Sequence, residues 1–110
     1  MNNTIEIILD FIARFNGSED VFLHGCCYWF AQILYSRFEA EYGVDIFYEP
    51  VEGHFIAKIQ QHFYDVRGDV TEHYRGRPMY DLWAMRRDDR KMYLRLMRQC
   101  RDFRECDEGE

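Results

Sequence analysis

The chain has 110 residues, of which 47% are hydrophobic and 17% aromatic, and its formal net charge is −6. This composition predicts one domain over residues 1–104, with an acidic flexible tail over residues 105–110. The first apolar stretch, residues 5–15, is interrupted by charged side chains and lacks a basic start. The pattern therefore argues against a membrane span or a signal peptide and favours a cytoplasmic protein.

The charge is unevenly distributed along the chain. Residues 86–104 hold eight basic and three acidic side chains, whereas residues 1–85 hold six basic and thirteen acidic ones. The acidic balance disfavours direct nucleic-acid binding, but the basic segment could contact an acidic partner. The alternative is an ordinary solvated helix face. The basic residues are Arg86, Arg87, Arg90, Lys91, Arg95, Arg98, Arg101 and Arg104.

Two helices are predicted in the first half of the chain. Apolar residues recur at helical spacing from Ile5 to Phe15, and Asn16-Gly17 indicates a turn after them. A second helix should begin near Cys26 or Cys27, with an apolar inward face, and end near Gly43. The residues of that face are Phe30, Ala31, Leu34 and Phe38, with Ile33 beside it.

Three strands should follow the second helix. The period changes to alternation over residues 44–49, 54–59 and 62–66, and the segments are joined by short connections that contain Gly53 and Gln60-Gln61. Consecutive strands with short connections most simply form an antiparallel meander. Alternation places His54, Ile56 and Lys58 on one face of the sheet.

The last third of the chain is expected to be helical. Residues 79–85 indicate a short helical turn, and Asp88 or Asp89 could cap a final amphipathic, arginine-rich helix. The predicted fold class is α+β: N-terminal helices, including a cysteine-bearing one, pack on a small three-stranded antiparallel sheet, and a C-terminal helix follows.

Three residues in this layout suggest chemistry. Cys27 lies at a predicted helix start, His54 at the head of a strand and Asp65 on the next strand. A helix N-terminus and a neighbouring imidazole favour the thiolate form of a cysteine, which is the nucleophile. A carboxylate beside the imidazole would fix its tautomer.

The chain order resembles the papain-like cysteine hydrolase superfamily, including its NlpC/P60 and transglutaminase-core branches. The resemblance covers roughly residues 22–68 and rests on Gly25-Cys26-Cys27-Tyr28-Trp29-Phe30-Ala31 with Leu34, on Gly53-His54-Phe55-Ile56-Ala57, and on residues 63–68. It implies Cys27 as nucleophile, His54 as general base and Asp65 as the residue that orients His54. It also implies one oxyanion donor at the Cys27 amide, while a glutamine before the cysteine, common in that superfamily, is absent.

The function predicted on this basis is a small cysteine hydrolase or acyltransferase acting on an amide, isopeptide or thioester of a protein or peptide. The alternative is a non-catalytic interaction or inhibitor protein, encoded by a phage or mobile element, on the same scaffold. Each of the three residues also has an ordinary explanation: Cys27 as a buried small hydrophobe, His54 as a paired histidine and Asp65 as a turn residue.

No metal or cofactor is expected. The alternative is a zinc site formed by His24, Cys26, Cys27 and His54, but adjacent cysteines are poor partners for one tetrahedral ion. Cys26 is interpreted as a core or bystander thiol. Without an export signal, Cys100 and Cys106 are expected to be free thiols as well.

Overall fold

The structure, a computed structural model, describes residues 3–19 and 27–101. Five helices lie in this part of the chain: α1 (Asn3–Ala13), α2 (Cys27–Tyr42), α3 (Thr71–Tyr74), α4 (Leu82–Asp88) and α5 (Arg90–Arg101). Its five strands are β1 (Asp45–Glu49), β2 (His54–Ile59), β3 (His62–Asp65), β4 (Gly68–Asp69) and β5 (Tyr80–Asp81). They form one antiparallel sheet in the order β4-β3-β2-β1-β5.

The predicted α+β class is confirmed, but the predicted number of strands is wrong. The three expected strands form the centre of the sheet, and β4 and β5 extend it by pairing with β3 and β1. Each added strand has only two residues. Two residues are too few for an alternating pattern to be visible in the sequence, so hydrophobic periodicity could not reveal these strands.

Helix α2 is positioned by one apolar face. Its buried residues are Phe30, Ala31, Leu34 and Phe38, whose spacing places them on one side of a helix. The helix stops at Gly43, which has a φ of 75° and donates its amide to the Glu39 carbonyl at 2.9 Å. Glycine reaches this left-handed conformation without steric cost, so the chain can turn directly into β1.

The core lies on both faces of the sheet. On one face, α1 and α2 pack against β2 and β3, with Ile8, Leu34, Phe38 and Ile59 inaccessible to solvent. Helices α4 and α5 extend this layer over β1, where Leu82, Met85 and Leu96 are buried beside Ile46 and Phe55. The other face carries a smaller cluster formed by Ile56, Val70 and Tyr74.

The C-terminal helices begin at aspartates. Asp81 accepts hydrogen bonds from the Trp83 and Ala84 amides at 2.9 and 3.2 Å, so α4 starts at Leu82 and ends at Asp88, three residues further along the chain than the predicted segment 79–85. Asp89 accepts from the Met92 amide at 3.2 Å at the start of the predicted arginine-rich helix, α5. None of the helices within the described residues is both long and apolar enough to cross a membrane. Residues 105–110, predicted to be a flexible tail, lie outside the described part.

Candidate functional site

The three predicted site residues come from the ends of three different elements. Cys27 is the first residue of α2, His54 the first of β2 and Asp65 the last of β3. Strand alternation directs His54 and Asp65 to the face of the sheet that carries Tyr74. Cys27 reaches the same strand end from the helical layer, so the site lies where β2 begins.

His54 and Asp65 form a buried pair. The Nε2 atom of His54 lies 2.8 Å from Oδ2 of Asp65, and the two residues are only 5% and 3% exposed. Burial by itself lowers the pKa of His54, but the hydrogen bond to Asp65 and the interaction with Cys27 outweigh it and raise this pKa to about 9. The imidazole is therefore held in its protonated form at neutral pH.

Cys27 is partly exposed and lies next to both His54 and the backbone of β2. The Phe55 amide donates a hydrogen bond to Sγ of Cys27 at 3.4 Å. The thiol also interacts with the His54 ring, since it is one of the groups that raise the His54 pKa. An amide donor and an imidazolium are both groups that stabilise a thiolate.

Asp65 is fixed by Arg67, a residue that sequence reasoning missed. The Arg67 amide donates to Oδ1 at 2.8 Å, and its guanidinium Nη2 donates to Oδ2 at 2.6 Å. Burial opposes ionisation of Asp65, but the hydrogen bonds from His54 and Arg67 lower its pKa below the ordinary value. The sequence signal was the two-residue spacing, at which an aspartate commonly accepts from the backbone.

Tyr74, a second residue that sequence reasoning missed, packs against the ring of His54. The rings of Tyr74 and His54 are stacked, with centroids 6.1 Å apart and an interplanar angle of 22°. The Tyr74 hydroxyl accepts from Arg67 Nη2 at 3.2 Å and donates to Glu52 Oε1 at 2.7 Å. Because α3 has only four residues, no helical period in the sequence identified Tyr74.

A more exposed histidine pair lies in a separate polar cleft. His62 Nδ1 is 2.8 Å from Asp69 Oδ2, and the Thr71 hydroxyl donates to Asp69 Oδ1 at 2.6 Å. The side chains of His62 and Asp69 are 33% and 28% exposed, against 6% and 4% for His54 and Asp65. The chain thus contains two His–Asp pairs, one buried and one partly exposed to solvent, whose properties can be compared.

No cluster of three or more histidine, cysteine or acidic residues suited to a metal ion occurs among residues 3–19 and 27–101. His24 and Cys26, two residues of the alternative zinc site, lie outside this range.

The fold and the site define a small α+β protein with a cysteine, a histidine and an aspartate at one end of an antiparallel sheet. A family model described as "Phage YunG-like protein" matches residues 5–102, and the chain belongs to this family. No curated protein and no solved structure matches the chain.

The predicted membership of the papain-like superfamily is wrong, because the family match assigns the chain elsewhere. The resemblance depended on three short, degenerate segments in a particular order, and such a pattern can occur in an unrelated family. Of the two predicted functions, the match is more compatible with the non-catalytic, phage-encoded alternative than with the hydrolase.

Proposed function

We propose that Cys27, His54 and Asp65 form a thiol site able to attack an acyl carbonyl. The observation that supports this function is the buried pair of His54 Nε2 and Asp65 Oδ2, 2.8 Å apart, beside a partly exposed thiol at a helix start. Asp65 uses one edge of the imidazole, which leaves the other edge for the cysteine. Arg67 keeps the carboxylate ionised and in position.

The reaction would be acyl transfer from an amide, isopeptide or thioester. The Cys27 thiolate adds to the carbonyl carbon, and the proton held on His54 passes to the leaving amine or thiol as the carbon–heteroatom bond breaks. Water then attacks the resulting thioester and His54 accepts its proton; the carbon–sulfur bond breaks, the carboxylic acid leaves, and Cys27 is released as the thiolate beside the protonated His54.

The test is the rate of alkylation of Cys27 by iodoacetamide as a function of pH. An unperturbed thiol titrates at about 8.5, so an activated Cys27 should still react readily at about pH 6. Tandem mass spectrometry, which fragments the labelled peptide between Cys26 and Cys27, separates Cys27 from the other three cysteines, and Cys27→Ala gives the background. His54→Ala should slow the reaction, whereas His62→Ala, which removes the solvated histidine, should not. Identical reactivity of Cys27 and a free model thiol from about pH 5 to 9 would contradict the proposal.

A second candidate function is non-catalytic binding of an acidic partner, in a phage-encoded protein. Two observations favour it: the family description and a basic face on α4 and α5. All of the basic side chains described on these helices are exposed: Arg86, Arg87, Arg90, Lys91, Arg95 and Arg98. Clustered positive charge of this kind attracts acidic surfaces. The family match favours this function, and the geometry at Cys27 favours the first.

Polyglutamate is a suitable probe for the basic face. We expect the wild-type chain to bind it at low salt, and the double variant Arg95→Glu/Arg98→Glu to lose that binding. The matched control is Arg14→Glu/Arg37→Glu, which makes the same charge change at exposed arginines outside the face. Equal losses in the two double variants would show that net charge, and not this face, determines binding.

A further inference from the structure

Tyr74 is completely buried, and its ring is stacked, with an offset, against the His54 ring. Its relative exposure is 0%, and its ring is nearly parallel to the imidazole at a centroid distance of 6.1 Å. Asp65 restrains the edge of the same imidazole through Nε2. A single hydrogen bond at Nε2 leaves the imidazole free to rotate about the axis of that hydrogen bond. A ring stacked against the imidazole restricts this rotation.

The position of Tyr74 is determined by the residues that hold Asp65. The Arg67 guanidinium donates through the same Nη2 atom to Asp65 Oδ2 at 2.6 Å and to the Tyr74 hydroxyl at 3.2 Å. The Arg67 guanidinium therefore positions two groups: the Asp65 carboxylate, which contacts the edge of the His54 ring, and the Tyr74 ring, which stacks against it. Such shared partners couple the two contacts.

Glu52 completes the anchor from the turn that precedes His54. Its Oε1 accepts a hydrogen bond from the Tyr74 hydroxyl at 2.7 Å, and its Oε2 accepts one from Arg77 Nη1 at 3.0 Å. The hydrogen bond from Tyr74, with those from His73 and Arg77, outweighs burial and lowers the pKa of Glu52 to about 2, so this carboxylate is ionised. The fully buried Glu49 accepts the Glu52 amide at 2.8 Å and so fixes the turn.

We propose that Tyr74 is a positioning residue for His54, acting through ring stacking, with Arg67 and Glu52 as its anchors. This role rests on the proposed function, because Tyr74 would hold the imidazole in the orientation in which it faces Cys27. The groups that face His54 are Cys27 from α2, Asp65 from β3 and Tyr74 from α3. Tyr74 would contact neither the substrate nor the reacting atoms.

The test compares Tyr74→Phe with Tyr74→Leu in the full chain. The first variant keeps the ring and the second removes it. Two quantities are measured at about pH 6: the Nε2–H proton resonance of His54, which reports its hydrogen bond to Asp65, and the alkylation rate of Cys27. Tyr74→Phe keeps the ring but loses the hydroxyl bonds to Arg67 and Glu52, so it should retain the Nε2–H resonance and label at a rate between those of wild type and Tyr74→Leu. Tyr74→Leu should broaden or shift the Nε2–H resonance and label about three- to tenfold more slowly, the loss that corresponds to one aromatic contact.

Phe47→Leu is the matched control, because Phe47 packs against the same cluster as Tyr74. It should leave both quantities unchanged. An unaltered His54 spectrum in folded Tyr74→Leu, or equal changes in Tyr74→Leu and Phe47→Leu, would overturn the inference. Should Tyr74→Leu not fold, nuclear Overhauser contacts between the Tyr74 and His54 rings in the wild-type chain decide the matter: their presence supports the inference and their absence overturns it.

The two quantities also separate this inference from the proposed function. A wild-type Cys27 that reacts like a free thiol, combined with a His54 Nε2–H resonance that changes in Tyr74→Leu, would refute the thiol function and support the positioning role. A Cys27 that is more reactive than a free thiol, combined with a His54 resonance that Tyr74→Leu leaves unchanged, would support the thiol function and refute the positioning role.

Discussion

The Nε2 atom of His54 lies 2.8 Å from Oδ2 of Asp65, although the two residues are eleven positions apart in the chain. Antiparallel pairing of β2 with β3 brings them together, and both are almost inaccessible to solvent. In the unfolded chain the same imidazole is surrounded by water and has no fixed partner. The folded state therefore binds a proton on His54 more tightly than the unfolded state does.

This difference predicts that stability falls as the pH rises. The folded pKa of His54 is about 9, against an ordinary value of 6.5. The contribution of the protonated imidazole is fully present below about pH 6.5 and is lost as the pH rises through about 9. We expect the free energy of unfolding to decrease by something on the order of 2–3 kcal/mol over this range. Urea denaturation at a series of pH values measures it.

Two histidine variants serve as controls for this pH dependence. His54→Gln should remove most of the decrease, whereas His62→Gln, at the solvated His–Asp pair, should keep it. A decrease of the same size in His54→Gln and in wild type would assign the effect to other groups.

Replacement of Asp65 should destabilise the chain more than the same change at Asp69. Asp65→Asn removes the charge that pairs with His54 and Arg67 in a buried site, and the loss should be about 3 kcal/mol. Asp69→Asn weakens a pair that is partly in water and should cost about 1 kcal/mol or less. Denaturant unfolding at neutral pH compares the two. Similar losses would mean that burial does not strengthen the His54–Asp65 pair.

The sequence predicted those parts of the fold that follow a period. Helix α2 has an apolar face at helical spacing, and the three central strands alternate, so each could be placed within a few residues. The two-residue strands and the four-residue α3 contain less than one full repeat of any pattern. They form because neighbouring elements of the fold supply pairing and packing partners. A short stretch of sequence does not show which elements will be neighbours.

The same distinction applies to the candidate site. Cys27, His54 and Asp65 were predicted from their residue types and order, and the structure brings His54 and Asp65 into direct contact. Tyr74 and Glu52 were missed because their importance depends on a long-range contact, since 22 residues separate them in the chain. Arg67 lies only two residues from Asp65, but its role is apparent only once Asp65 is known to pair with His54. A glutamate in a turn and a tyrosine in a loop-like segment are unremarkable until the fold joins them.

Two buried tyrosines should respond in opposite directions to loss of their hydroxyl groups. Within the described residues, the Tyr64 hydroxyl is buried and has no hydrogen-bond partner, whereas the Tyr74 hydroxyl bonds to Arg67 and Glu52. Tyr64→Phe should raise the free energy of unfolding by about 1 kcal/mol, because an unpaired buried hydroxyl carries a desolvation cost. Tyr74→Phe should lower it by about 2 kcal/mol, since two bonds to charged groups are lost. Thermal and urea unfolding compare the variants, and a loss of stability in Tyr64→Phe would be the contrary result.

The packing of α2 against the sheet can be tested with a pair of leucines. Leu34 is inaccessible to solvent in the core between α1, α2 and β2, whereas Leu94 on α5 is 45% exposed. Leu34→Ala should cost about 2–5 kcal/mol through lost burial and the cavity left behind. Leu94→Ala should change stability by no more than about 0.5 kcal/mol. Urea midpoints give both values, and a large loss at Leu94 would indicate that a further surface covers α5.

The turn between β2 and β3 carries backbone strain that a sequence change should relieve. Ile59 pairs with His62, so Gln60 and Gln61 form a two-residue hairpin loop, and their φ values are 48° and 74°. Two left-handed residues in such a loop match a type I′ turn, for which Asn-Gly is the preferred sequence. The double variant Gln60→Asn/Gln61→Gly should raise the free energy of unfolding by about 1–2 kcal/mol, because glycine and asparagine adopt this conformation more readily than glutamine. Gln60→Val/Gln61→Val should lower it, since β-branched side chains clash with the backbone at positive φ. Urea denaturation of both double variants measures the effect, and an unchanged stability in both would mean that the loop residues do not hold left-handed conformations.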